Sequence, residues 1–234
     1  MLKSFVNNVI KIISHILLKI DASELEKFPM EGPLISVANH VNFLDAPIII
    51  THLHPRSTTG LVKKESWDKP FLAFLFNVWE GIPIDRDIAD FTAFKKAKEA
   101  LKQGKILAVA PEGTRSEDGR MIRGKPGIAI LVSMCDVPIV PMAYYGHEDF
   151  DKNWKRLKRT PMKIRVGRPF QVNLGGRTKS KELMQTVTDA IMFEIAKLLP
   201  EDYRGYYADA EIEGKEFIEY LDDLPGEHVS EACG

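Results

Sequence analysis

The chain has 234 residues, 44% of them apolar, enough to bury one large core, and no Ser-, Gly- or Pro-rich linker, repeat or low-complexity run divides it. The formal charge of −1 hides an asymmetry: residues 201–234 carry eleven acidic side chains against Arg204 and Lys215, a balance of −9 that leaves +8 on the first 200 residues. Two cysteines, Cys135 and Cys233, exclude a disulfide framework and point to a reducing compartment, and no stretch reaches the ~18 uninterrupted apolar residues of a membrane span. A basic body suits anionic head groups, phosphate-bearing thioesters, an anionic membrane surface and nucleic acid alike, so charge alone selects none of them.

Residues 1–20 come first in chain order. Leu2, Phe5, Val6, Val9, Ile10, Ile13, Ile16, Leu17 and Ile20 recur at helical spacing, with Lys3, Asn7, Lys11, Ser14 and Lys19 on the other side. Lys11 interrupts the apolar region and no small-residue cleavage site follows, which argues against a signal peptide. Two readings stay open for this amphipathic helix: docking on the chain's own core, or lying in the plane of a membrane surface.

Residues 34–38 then read as a buried strand, 43–54 as a helix closed by Pro55, 59–62 as a strand, and 70–79 as a very apolar helix. A short strand at 82–84 precedes a helix at 91–103, stopped by Gly104. A buried strand at 106–110 runs into Pro111-Glu112-Gly113, a small-and-aliphatic helix covers 127–135, and strands follow at 139–144 and 163–166. An amphipathic helix occupies 181–199. Strands alternating with helices predict a single α/β domain with a largely parallel or mixed central sheet flanked by helices. In such sheets the ligand crevice lies beyond the carboxyl ends of the strands, and His40 and Glu112 both follow predicted strands.

Four blocks carry the chemistry: Asn39-His40-Val41-Asn42-Phe43-Leu44-Asp45, Ile84-Asp85-Arg86, Pro111-Glu112-Gly113-Thr114-Arg115-Ser116, and Val137-Pro138-Ile139-Val140-Pro141. An imidazole accepts a proton near neutral pH, so His40 is a candidate base. Asp45, about one turn further on and at a helix start, can accept a hydrogen bond from the other ring nitrogen and stabilise the imidazolium. The turn at 112–116 presents an unencumbered backbone at Gly113, a hydroxyl at Thr114 and a guanidinium at Arg115. Arg86 offers a second cation. Glu112 is out of place beside phosphate unless it pairs with an arginine or holds the loop.

The four blocks, in this order, resemble the glycerolipid acyltransferase family, with the 1-acyl-glycerol-3-phosphate acyltransferases as the nearest branch. The resemblance covers roughly residues 30–175. It implies transfer of a fatty acyl group from an acyl thioester, on coenzyme A or acyl carrier protein, to the free hydroxyl of 1-acyl-glycerol-3-phosphate, giving phosphatidic acid without a cofactor or a metal. It assigns His40 and Asp45 to catalysis, and Arg86, Glu112, Gly113, Thr114 and Arg115 to the acceptor phosphate. Asn42 stands where family members often carry serine. Lys63 resembles a lysine between the first two blocks and is a candidate for the thioester carbonyl, or else part of a solvated charge run. Phe71 and Phe74, with Val137, Pro138 and Pro141, are candidates for an acyl pocket; core packing serves them equally well.

The implied organisation is a membrane-associating helix at 1–27, a catalytic domain at 28–200 and an acidic tail at 201–234, with the enzyme peripheral on the cytoplasmic face of the cell membrane. No G-x-S-x-G elbow offers a serine nucleophile, so direct attack by the substrate hydroxyl is expected. The stretch Gly119-Arg120-Met121-Ile122-Arg123-Gly124-Lys125-Pro126 approaches a P-loop but has proline where a magnesium-holding hydroxyl belongs. His52-x-His54 lacks further ligands for a metal site. The basic run at 152–159 fits lipid head groups or donor phosphates better than nucleic acid. Three rival functions remain: acylation of another lysophospholipid, a thioesterase in which water replaces the alcohol, and a non-catalytic lipid-binding protein.

Overall fold

A computed structural model describes residues 1–222, apart from Asp87, Ala89, Glu117, Ala210 and Ile212. Its elements, in order, are α1 (Leu2–Leu17), β1 (Leu18–Asp21), β2 (Leu34–Ala38), α2 (Asp45–His52), β3 (Thr58–Lys63), α3 (Pro70–Val78), β4 (Ile82–Ile84), α4 (Phe91–Lys102) and β5 (Ile106–Val109). The second half adds α5 (Gly127–Val132), β6 (Ile139–Tyr145), α6 (Phe150–Lys155), β7 (Thr160–Val166), β8 (Phe170–Val172), α7 (Lys181–Ala196) and β9 (Ile218–Tyr220), with short 3₁₀ turns between.

The strands form one sheet in the order β1-β7-β6-β2-β5-β3-β4, with β8 pairing β6 and β9. Pairing is parallel from β6 through β4 and between β1 and β7; β7 and β8 run antiparallel to β6. This is the expected α/β domain with a mixed sheet.

Alternation along the strands divides the interior in two. Ile35, Val37, Leu107, Val109 and Ile139 join a core under α4, α5 and α7. Leu34, Ala38, Ile106, Val140 and Met142 join a core with residues of α1, α2 and α3. Helices on both faces leave the carboxyl edge of the parallel strands open, which is where the chain can build a site.

The amino-terminal helix docks in an unexpected orientation. Asn7 is 2% exposed and its Oδ1 accepts from Trp79 Nε1 at 2.9 Å; Ser14 is also buried, and Lys3 pairs with Glu80. Phe5 (67% exposed), Ile12 (61%) and Ile16 (64%), with Leu2, Val9 and Ile13, face outward. At 100° per residue these six positions share a sector of roughly 100°. The helix is docked on the core through these polar groups and through Val6, Ile10 and Leu17, and the six outward apolar side chains are left uncovered. Among the described residues no helix is long and apolar enough to cross a membrane.

Two boundaries and one side chain differ from expectation. The helix ends at Leu17, and residues 18–21 form an edge strand on β7 rather than a continuation of an amphipathic segment. The acidic segment expected to leave the body at 201 stays on it through residue 222: Tyr207 and Phe217 are buried in the larger core and β9 extends the sheet. Residues 223–234 of that segment, with Cys233, lie outside the described residues. The side chain is His52, which faces α1. Its Nε2 lies 3.2 Å from His15 Nε2 on α1, and burial lowers its pKa from 6.5 to about 4.

Candidate active site

β2 lies between β5 and β6 and is parallel to both, so the residues that follow these three strands emerge together. Asn39 extends the pairing beyond the ladder: its Nδ2 donates to the Tyr144 carbonyl and its Oδ1 accepts from the Tyr144 N–H, both at 2.8 Å. That clamp fixes where the chain turns at His40.

The turn places Asp45 at the first residue of α2, beneath His40. Asp45 Oδ2 lies 2.7 Å from His40 Nδ1 and accepts from the N–H groups of Val41 (2.8 Å) and Asn42 (3.1 Å). Its other oxygen, Oδ1, lies 2.6 Å from Nε2 of His147. Burial pushes the Asp45 carboxyl upward, but the hydrogen bonds from His147 and His40 outweigh it and hold the group below its ordinary value. An ionised carboxylate only accepts hydrogen bonds, so both facing ring nitrogens carry protons. In neutral His40 the proton is thereby on Nδ1, and Nε2 keeps a free lone pair. His40 borders the cavity described below, and its Nε2 has no protein partner among the described residues.

Two turns beyond β5 and β4 complete the site. Glu112, 1% exposed, accepts from the His40 N–H at 3.1 Å and from the Ile122 N–H at 3.4 Å. It holds the loop and has no arginine partner. Burial pushes its carboxyl up to about 8. Ser116 N–H donates to the His40 carbonyl at 2.9 Å, so the 112–116 turn grips both backbone groups of His40.

Gly113 has φ +71°, and a Cβ there would meet the Lys125 side chain at 3.0 Å, so two constraints require glycine. Arg86 donates to the Gly113 carbonyl at 2.8 Å, and its pKa is lowered by burial and then by the neighbouring Arg115 charge. Arg115 and Thr114 are exposed. Arg86, Arg115 and Lys125 thus surround one glycine turn, and none of the three has an ion-pair partner among the described residues. Guanidinium and ammonium groups held together, with Glu65 offsetting part of the Arg86 charge, form a seat for an anion.

A cavity of about 370 Å³ runs inward from His40, Arg86, Gly113 and Lys125. Ile49, Ile50, Leu61, Val62, Phe76 and Trp79 are among its apolar walls. The structure thus brings His40, Asp45, Arg86 and Gly113 to one cavity with Glu112 bonded to the His40 N–H, while Thr114 and Arg115 are exposed in the same turn and do not line the cavity. Six other candidates stand elsewhere. Lys63 ends β3, is exposed, pairs with Glu65 at 3.8 Å and does not line the cavity. Phe71 and Phe74 lie on the exposed side of α3 and do not line it either. Val137 and Pro138 lie at the amino end of β6, away from the site edge, and Pro141 is buried within that strand, so none of the three reaches the cavity. Two site residues escaped the sequence reading. His147 follows β6 as His40 follows β2, and its place at a strand's carboxyl end was the available signal. Lys125 belongs to the P-loop-like stretch dismissed for nucleotide binding.

A family model described as Acyltransferase matches residues 19–145. The chain is 26% identical to the 1-acyl-sn-glycerol-3-phosphate acyltransferase of Bacillus subtilis over 195 residues, 83% of this chain and 95% of that protein. It is 32% identical to the protein of the same name from Limnanthes douglasii over 143 residues, 59% of this chain and 50% of that protein, so it spans about half of this plant relative. The crystal structure of the 1-acyl-sn-glycerophosphate acyltransferase PlsC from Thermotoga maritima shares the fold, with a TM-score of 0.60 at 22% identity over 84% of this chain and 81% of that one.

Proposed function

This chain belongs to the acyltransferase family, and from that premise we propose that it transfers a fatty acyl group from an acyl thioester to the free hydroxyl of 1-acyl-glycerol-3-phosphate, yielding phosphatidic acid. One observation carries the reading: His40, oriented by Asp45, and the cations Arg86 and Lys125 border the same apolar cavity. A lysolipid with a phosphate, a hydroxyl and a hydrocarbon chain needs those three surroundings at once.

The acceptor phosphate sits among Arg86, Arg115 and Lys125 at the 112–116 turn. His40 takes the hydroxyl proton on Nε2 as the oxygen attacks the thioester carbon, and Asp45 balances the imidazolium. The carbon–sulfur bond then breaks, the ester forms, and the departing thiolate takes the proton back from His40. Apolar walls around the reacting atoms exclude water, which favours transfer over hydrolysis.

The uncovered face of α1 rests in a membrane surface, the source of the lipid acceptor, from the cytoplasmic side. Basic α6, with Trp154 exposed among Lys152 and Lys155, suits the same anionic surface.

Purified protein supplied with a panel of lysolipids and a labelled acyl thioester, on coenzyme A and on acyl carrier protein in turn, tests the reading. Labelled phosphatidic acid from the phosphate monoester acceptor is expected. Label released only as free fatty acid would instead mean a thioesterase, and product from another lysolipid alone would move the acceptor.

A further inference from the structure

We propose that His147 is a positioning residue for the reaction, fixing Asp45 so that Asp45 in turn fixes the tautomer and direction of His40. The inference rests on the reading of His40 as the base, and it adds a third side chain to that pair.

The two oxygens of Asp45 are supported unequally. Oδ2 has His40 Nδ1 and two backbone N–H groups, whereas the only donor to Oδ1 among the described residues is His147 Nε2, at 2.6 Å. A carboxylate turns easily about its last torsion, which is broad rather than three-fold. Turning about that torsion moves both oxygens, so the donors on Oδ2 resist it from one side and the His147 donor on Oδ1 restrains it from the other. The plane of the carboxylate then sets the direction in which His40 Nδ1–H points, and so where Nε2 is presented in the cavity.

His147 is itself held firmly. It is fully buried, directly beyond β6, and its carbonyl accepts from Asn42 Nδ2 at 2.9 Å. Asn42 Oδ1 in turn accepts from the Leu44 N–H at 2.9 Å. The loop bearing His40 and Asp45 is therefore tied to His147 twice, through a side chain and through the main chain. The remaining ring nitrogen, Nδ1, has no hydrogen-bond partner among the described residues.

Other titratable groups also face this pair. Glu112 comes from the turn after β5 and Tyr144 from β6, and both feel the Asp45 charge; Glu148 is engaged by Tyr203. None of the three donates to Asp45 Oδ1. Loss of the His147 donor therefore raises the proton affinity of the His40–Asp45 pair, and the acid limb of the pH profile moves to higher pH.

The test compares His147→Phe, His147→Gln and His40→Ala with wild type across pH, with both KM values measured. His147→Phe should lower kcat about 10- to 100-fold, the range seen when a partner that orients a functional ligand is lost. Its KM values should stay within about twofold, and its acid limb should shift upward. His147→Gln places an amide nitrogen near the former Nε2 and should recover much of the loss. An inactive His40→Ala beside a His147→Phe enzyme with wild-type kcat and pH profile would overturn the inference and leave the base intact. An active His40→Ala would overturn the base itself. Should His147→Phe fail to fold, long-range proton–nitrogen spectra of the wild-type chain decide: a proton on His147 Nε2 supports the inference, and one on Nδ1 alone overturns it.

Discussion

The carboxyl of Glu112 accepts a hydrogen bond from the backbone N–H of His40 at 3.1 Å. The turn proposed to seat the phosphate and the proposed base are thus one mechanical unit, because Ser116 of the same turn also binds the His40 carbonyl.

Removing that link should damage both stability and rate. Glu112→Ala leaves the His40 and Ile122 N–H groups without their acceptor, a loss of about 1–3 kcal/mol per buried group. The pH dependence has a definite sign. Glu112 titrates at about 8 when folded and near 4.5 when unfolded, so the folded state binds the extra proton between those values. Its contribution is fully present below the unfolded pKa and is lost as pH rises through about 8. Urea midpoints of wild type and Glu112→Gln between pH 5 and pH 9 (roughly the span of that window) check this: the substitution should flatten the decline.

Arg115→Ala and Lys125→Ala should weaken the phosphate-bearing acceptor and spare the donor. A charge-assisted hydrogen bond contributes about 1.5–3 kcal/mol, so the acceptor KM should rise roughly 10- to 100-fold. Kinetics with each substrate varied in turn provide the check, and a defect confined to the thioester would reverse the assignment.

The two sides of α1 should respond oppositely. Phe5→Asp and Ile12→Asp alter exposed positions and should leave the melting temperature nearly unchanged while abolishing binding to anionic vesicles. Asn7→Ala removes the acceptor of Trp79 Nε1 and should destabilise the fold by about 1–3 kcal/mol. Burial of several aliphatic side chains at about 25 cal/mol per Å² supplies enough for reversible attachment.

The seam between α1 and α2 should loosen in acid. His52 is held near 4 when folded against 6.5 unfolded, so the unfolded state binds the extra proton between these values. Stability at this seam is present above about 6.5 and falls as pH drops toward 4. Protection factors in residues 2–17, taken relative to the intrinsic exchange rate at each pH, should fall over that range, and His52→Gln should remove much of the change.

Most of the frame was legible in the sequence because the central strands β2, β5 and β6 are apolar, largely buried runs bounded by turn residues; 34–38 and 82–84 agree with β2 and β4 to the residue. β1 was hidden because the helical spacing of apolar residues continues through Ile20 after the helix has ended. β8 and β9 mix polar residues into three-residue segments that are mostly not buried, so they carry no apolar run to register. Residues 201–222 look like a solvated acidic tail by composition, yet Tyr207 alone reaches from them to Gly124 N–H at 3.0 Å and Asp189 at 2.8 Å. His40 and Asp45 were readable because they are five residues apart in one loop. His147 was not, because the carboxylate it holds lies 102 positions away. The acyl-wall candidates followed apolarity, which cannot distinguish the amino end of β6 from the carboxyl edge where the cavity opens.

The central claim is that His40 is the base that activates the acceptor hydroxyl. Initial rates of acyl transfer to 1-acyl-glycerol-3-phosphate by wild type and His40→Ala, at matched folded concentration, test it most directly. The account predicts a loss of about a hundredfold or more in the variant, with an unchanged melting temperature. Turnover close to wild type in the folded variant would contradict it.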